Sequence, residues 1–196
     1  YRKLLNTIGA DGSRPCHIIH AWNFGNSAGI GSIDELRESQ YRGTYSLLYL
    51  AQALLSEPGN DQNIRMLVLT DCAQRVNDGD VISPERATLI GILQTMSQEN
   101  PRFECRHLDC SGLDWEAVAP LALSEIAAIK GKAEVAYRDG WRYVAALSRI
   151  NMVAGGTDES AIRRGGLYMV TGGLGGIGTK LCQLLAARYQ ARVLIV

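Results

Sequence analysis

The sequence predicts an α/β protein: a doubly wound parallel sheet, followed by the first β-α-β of a second parallel unit. Three observations carry this. Short apolar, β-forming runs alternate with tracts of helical period along the chain. A hairpin dipeptide, Asp139-Gly140, closes the first series. A glycine turn, Thr171 to Gly178, opens the second between a β-forming run and an amphipathic tract.

Cys16 to Trp22 reads as the first strand, apolar enough to be buried on both faces. The segment Asn23 to Gly31 contains Gly29-x-Gly31 but is too long for a tight strand-to-helix turn, and reads as a surface connection. Ser32-Ile33-Asp34-Glu35 has capping-box form. It opens a helical tract whose apolar side is Tyr45, Leu48, Tyr49, Leu50, Ala53 and Leu54, ending at Glu57-Pro58-Gly59. Ile64 to Thr70 is a second buried strand. After the polar loop Asn77 to Asp80, Ser83 is an N-cap with Pro84 at the first helical position. That helix runs through Leu89, Ile92, Leu93 and Met96 toward Asn100-Pro101, and Phe103 to Asp109 is the third strand. Trp115, Val118, Leu121 and Ile126 mark a helical stretch expected to bend or break at Pro120. Glu134 to Val144 alternates about Asp139-Gly140 as a hairpin. Residues 153–166 are small, polar and aperiodic, a linker between units at 1–152 and 167–196. The alternation predicts right-handed crossovers.

Composition narrows function. Apolar residues make up 46% of the chain and charged residues 20%, ordinary for a fold with a real core. Lys+Arg and Asp+Glu are 20 each, which argues against a nucleic-acid partner or an acidic membrane surface. No apolar run has membrane-spanning length and no signal peptide precedes the first strand. The cysteine count, 5, is odd and no CxxC occurs, so a reducing cytoplasm is expected. Cys105, His107 and Asp109 share one strand face, but ligands strung along one extended strand rarely converge, so no metal site is expected. His17 and His20 read as structural, hydrogen-bonded imidazoles, and Trp22, Trp115 and Trp141 as core or edge packing.

The glycine turn is the candidate site. Leu167 to Val170 precedes it; Leu181, Leu184, Leu185 and Tyr189 recur at helical spacing after it; Arg192 to Val196 forms a second strand. Gly172 allows a sharp turn where a Cβ would clash. Gly176 leaves backbone bare where a pyrophosphate could lie against helix N-terminal amides, and Gly178 lets the helix pack closely on the strand. Thr171, Gly172, Gly173, Leu174, Gly175, Gly176, Ile177 and Gly178 are therefore the candidate cofactor-binding residues, with backbone contacts from Leu174, Gly175 and Ile177. A strand pair with one helix cannot bury Leu181, Leu184, Val193 and Ile195 by itself.

Three stretches carry a family resemblance: Pro84 to Gly91 continuing through Glu99-Asn100-Pro101 to Leu108-Asp109; Glu134 to Gly140 with Arg142-Tyr143-Val144; and Tyr168 to Gly178. Together they resemble the ketoreductase domain of a modular type I polyketide synthase. The resemblance implies two Rossmann-like halves, the upstream one structural and without a nucleotide site. It implies that the downstream half binds NADPH and reduces the β-keto group of an acyl chain on the phosphopantetheine of an acyl carrier protein, among neighbouring synthase domains. The catalytic serine, tyrosine and lysine of such enzymes are expected beyond Val196. No tyrosine here has a lysine four residues on, so no residue of this chain is assigned to catalysis and the chain alone is expected to be inactive. The alternative is a non-catalytic reductase-like scaffold that positions neighbouring domains.

Overall fold

The computed structural model describes residues 1–12, 14–25, 29–56, 62–129, 134–149 and 162–196. Contacts divide the chain into two compact units, Tyr1–Leu147 and Ser148–Val196, each with its own sheet. The expected linker falls largely outside the described residues.

In the first unit, strands β1 (His17–Asn23), β2 (Ile64–Thr70), β3 (Phe103–Cys110), β4 (Glu134–Arg138) and β5 (Trp141–Val144) lie in that spatial order. The first four are parallel, and β5 returns antiparallel to β4. Asp139 and Gly140 both take positive φ, 49° and 78°, as the tight hairpin requires. Strands β2 and β3 have neighbours on both sides and layers on both faces, so nearly every residue is buried. Strand β1 departs from expectation. It is a sheet edge, only His20 and Asn23 are buried, and Ile19 and Trp22 are 41% and 61% exposed. Apolar content cannot distinguish an edge from a centre, because that depends on which strand pairs beside it.

Helix α1 (Arg2–Ile8), too short to show a period, anchors through Leu5. The tract after Ser32 is three pieces: α2 (Ile33–Gln40), a π-helical segment Tyr41–Tyr45, and α3 (Ser46–Leu55). The capping box is formed: the Glu35 amide donates to Ser32 Oγ at 3.2 Å, and the Ser32 amide donates to Glu35 Oε2 at 3.1 Å. The wide π turn shifts the helical phase. Leu50, Ala53 and Leu54 are buried, while Tyr45 and Tyr49, expected on the same side, face outward in a row with Tyr41. Helix α4 (Pro84–Glu99) starts at Pro84, but the Ser83 side chain makes no cap bond. Helix α5 (Trp115–Ala127) is one helix through Pro120, not broken there. Pro120 and Glu116 are exposed, so the Glu116 carbonyl that loses its amide partner can turn to water. Trp22, Trp115 and Trp141 are 49–72% exposed, so none is a core residue; Trp22 and Trp141 lie on the two edge strands, β1 and β5.

Helices α3 and α4 pack with Met66 and Val68 on one face of the sheet; α5 packs with Leu67, Leu69 and Leu108 on the other. The strands nevertheless step in one direction from β1 to β4. Crossovers with the same step but opposite faces have opposite hand. The α5 crossover therefore runs counter to the two before it, and uniform right-handedness does not hold.

The second unit has β6 (Leu167–Val170), α6 (Gly176–Tyr189) and β7 (Arg192–Ile195), with the two strands parallel and in register Leu167↔Arg192 to Val170↔Ile195. Among its described apolar side chains only Val170 and Leu185 are buried, while Leu181, Leu184, Leu194 and Ile195 are 43–50% exposed. No helix among the described residues is long and apolar enough to cross a membrane.

The carboxyl edge of the first sheet is tied by buried charge. Asp109, fully buried, accepts from Arg138 at 2.6 Å, from Thr70 Oγ1 at 2.6 Å and from the Ala73 amide at 3.0 Å. Arg138 also donates to Asp80 at 3.0 Å and to the Gln74 carbonyl at 2.9 Å. Burial works against the Arg138 guanidinium, but Asp109 and then Asp80 outweigh it and raise its pKa. On the opposite face Glu125 accepts from Arg106 at 2.5 Å, from Arg142 at 2.6 Å and from the Tyr137 hydroxyl at 2.9 Å.

Arg138→Met leaves Asp109 buried without its cation and is expected to cost about 3–5 kcal/mol, read as a lower urea midpoint at unchanged m-value. Burial lowers the His20 pKa from 6.5 to about 4, and its Nε2 lies 3.0 Å from Ser46 Oγ. The unfolded chain then binds the extra proton first. Stability is full above pH 6.5 and falls as the pH drops from 6.5 through 4. The loss should be on the order of 3 kcal/mol and should flatten in His20→Gln, measured by urea unfolding across that window.

Candidate functional site

The turn from β6 into α6 is built by its glycines. Gly172 has φ 68°, a left-handed conformation that glycine alone adopts freely, and its amide donates to the Val196 carbonyl at 2.7 Å. No atom lies within 4 Å of where a Gly172 Cβ would stand, so the backbone angle and not a clash demands glycine. Gly173 is buried, and a Cβ there would come 2.8 Å from Ile195 Cγ2. At Gly178 a Cβ would run into the Gly172 carbonyl and 2.7 Å from Gly173 Cα. The close approach at Gly178 is thus between helix and turn, where the sequence suggested helix and strand. Gly176 differs from these: its Cβ position is open, and Leu174 and Ile177 beside it are 85% and 89% exposed.

Helix α6 begins after Gly175 with no side-chain cap. Its first-turn amides have no intrahelical acceptor, and the helix dipole adds positive potential there. Thr171, Gly175 and Gly176 are exposed with them. The Thr179 amide is turned inward to the Gly175 carbonyl at 2.8 Å, and Thr179 Oγ1 to the Gly173 carbonyl at 3.2 Å. Sequence reasoning missed Thr179, although a hydroxyl one position after Gly178 was a usable signal. The arrangement can seat an anion against bare backbone.

The corresponding helix start in the first unit is closed. Glu35 Oε2 accepts from the Gly31 amide at 2.6 Å and from the Ser32 amide at 3.1 Å, so a carboxylate of the chain itself sits on the α2 N-terminus. The hollow beside it is lined by Glu35, Glu38 and Glu85 with Arg42 and Arg86. Those two arginines are already paired, Arg42 with Glu38 and Arg86 with Asp71.

The remaining candidates resolve as structural groups. His107 is buried with Nε2 2.7 Å from Thr70 Oγ1, Asp109 is held by Arg138, and Cys105 belongs to an apolar cluster. Burial raises the Cys105 thiol pKa and pushes Cys110 to about 12, so neither ionises readily as a nucleophile or ligand. His17 is exposed beside Cys16, and His20 is the buried partner of Ser46. The buried clusters around Asp109 and Glu125 were also missed. Arg106, Glu104 and Asp109 inside an otherwise apolar strand were the available sign.

Residues 1–121 match the family model described as beta-ketoacyl synthase-like, N-terminal. The chain is 32% identical to polyketide synthase ThaG of Burkholderia thailandensis over 84% of its length, which is 3% of that protein. It is 27% identical to polyketide synthase PksN of Bacillus subtilis over 82% of its length, again 3% of the relative. Among solved structures it is similar to the adenylation, ketoreductase and pseudo-Asub multidomain structure of a keto acid-selecting NRPS module. There the TM-score is 0.78 at 27% identity, covering all of this chain and 16% of that one. A C2-type ketoreductase from a modular polyketide synthase shares the fold, with TM-score 0.64 at 22% identity over 98% of this chain and 40% of that one.

Gly178→Ala is expected to loosen the turn by about 1–3 kcal/mol, because backbone must move to admit the methyl group. Gly176→Ala is expected to stay within about 0.5 kcal/mol of the parent. Amide exchange at Gly172 and Val196, which pair across the turn, reads both.

Proposed function

Because the chain belongs to the beta-ketoacyl synthase-like, N-terminal family and is a ketoreductase-like part of a polyketide synthase, we propose that it joins a structural half to the start of a cofactor-binding half. Residues 1–152 are the structural subdomain, 153–166 the linker and 167–196 the opening of the catalytic subdomain. The parent enzyme reduces a β-ketoacyl group on an acyl carrier protein, with NADPH supplying the hydride. Neighbouring synthase domains deliver and remove the carrier.

One observation carries this reading: of two comparable helix starts, α2 is filled by Glu35 and α6 is left uncapped behind glycines. The open Cβ position of Gly176 and the exposed first-turn backbone fit a diphosphate, which the dipole and the amides of Gly176 and Ile177 would hold. Gly172, Gly173 and Gly178 shape the turn so that this backbone stands clear, and Thr171, Leu174 and Gly175 border it. Proton delivery to the developing alkoxide needs an acid that this sequence lacks, since no Tyr-x-x-x-Lys pair occurs in it. The residues here bind and orient; they do not transfer the proton. The scaffold reading predicts the same fold without nucleotide binding.

NADPH titration by nicotinamide fluorescence separates the two, using a protein that carries this chain with the rest of the reductase. Saturable binding is expected. Gly176→Val should weaken it at least about tenfold, the loss of one charge-assisted hydrogen bond, at unchanged Tm. No binding by the parent protein would overturn the reductase reading in favour of the scaffold.

A further inference from the structure

Strand β1 is an outer strand of its sheet, and no strand pairs with its outer side among the described residues. The Arg65 amide donates to the Cys16 carbonyl at 2.8 Å, so Cys16, and by alternation Ile18 and His20, turn their backbone groups to β2. His17 and Ile19 turn theirs outward. The Ala21 carbonyl faces outward too, but it already accepts from the Phe24 amide at 3.2 Å. Exposed edges are commonly guarded by a lysine, a proline or an inward charge. His17–Asn23 carries none of these, and its register shift lies past His20. Apolar side chains stand beside the edge on both faces of the sheet. Ile18 pairs in register with Met66 and lies on the α3 face, where Leu4, Leu5 and Ile8 of α1 border a groove along the edge together with Trp22. Ile19 pairs with Leu67 and lies on the α5 face.

Leu4, Ile8, Ile19 and Trp22 are 55%, 41%, 41% and 61% exposed. With the strand backbone they would remove roughly 1,000 Å² from water in a pair of copies, the lower limit for a specific interface. Charge does not oppose such a pair. Strand β1 has no Lys, Arg, Asp or Glu, and Arg2 and Lys3 of α1 border a different hollow with Tyr49 and Gln52. We propose that β1 binds β1 of a second copy of this chain, antiparallel about a two-fold axis at Ile18. His17 of each copy exchanges backbone hydrogen bonds with Ile19 of the other, the register in which every free edge group meets a free edge group. Ile18 meets its own counterpart on the helix side, where the two α1 grooves face each other. The interface is isologous and closes at the dimer. It belongs to the first unit and does not rest on the reductase reading.

The test is sedimentation equilibrium of the 196-residue chain, with amide exchange on the same samples. A reversible dimer with a micromolar midpoint is expected, and the His17 and Ile19 amides should exchange more slowly as concentration rises. The Ile18 amide, turned to β2, should not change. Ile19→Lys sets a charge on the exposed edge and should weaken the dimer at least about tenfold, with the far-UV circular dichroism unaltered. Leu184→Lys, on the exposed surface of α6, should leave the dimer as it is. A monomer at every concentration up to about 1 mM, a dimer that survives Ile19→Lys, a dimer lost in Leu184→Lys, or His17 and Ile19 amides indifferent to concentration would each overturn the proposal. Should Ile19→Lys fail to fold, amide exchange in the unaltered chain still decides it.

Discussion

Asp109 is fully enclosed, and an ionised carboxylate in that position must have all its neighbours in place. Arg138 arrives from β4, Thr70 from the end of β2, and the amides of Ala73 and Gln74 from the segment beyond it. Asp80 then holds the far side of Arg138, with its own carboxyl kept below the usual range by the Val76 amide, then by Asn77 and Arg138. One buried pair thereby locks three strands and the loop between β2 and α4. That loop replaces the helix that the α5 crossover took to the other face.

The two units solve the same local problem in opposite ways. A helix N-terminus presents amides that need acceptors. At α2 the chain supplies them from Ser32 and Glu35; at α6 glycines at positions 172, 173, 175, 176 and 178 leave no side chain to do so. Self-capping stabilises the first helix and removes it as an anion site. The uncapped start leaves the first-turn amides of α6 without a side-chain acceptor.

Much of this could be read from residue patterns. The capping box at Ser32, the strands at Ile64 and Phe103, the Asp139-Gly140 hairpin and the glycine turn all rest on contacts within a few residues, which sequence spacing encodes. The misreadings share one cause. The edge position of β1 and the outward tyrosines after the π turn depend on what lies alongside. At the site, Gly172 was placed correctly for the wrong reason: the constraint is its φ of 68°, not a crowded Cβ.

The sequence by itself determined the α/β alternation and the residues of the glycine turn, since period and turn chemistry act over short range. Tertiary structure alone decided which strand stood at the edge, which face each helix covered, and that a carboxylate would close one helix start while the other stayed open. It also joined Asp109 to Arg138. Burial and charge pairing join residues far apart along the chain, and no local pattern specifies which of them will meet.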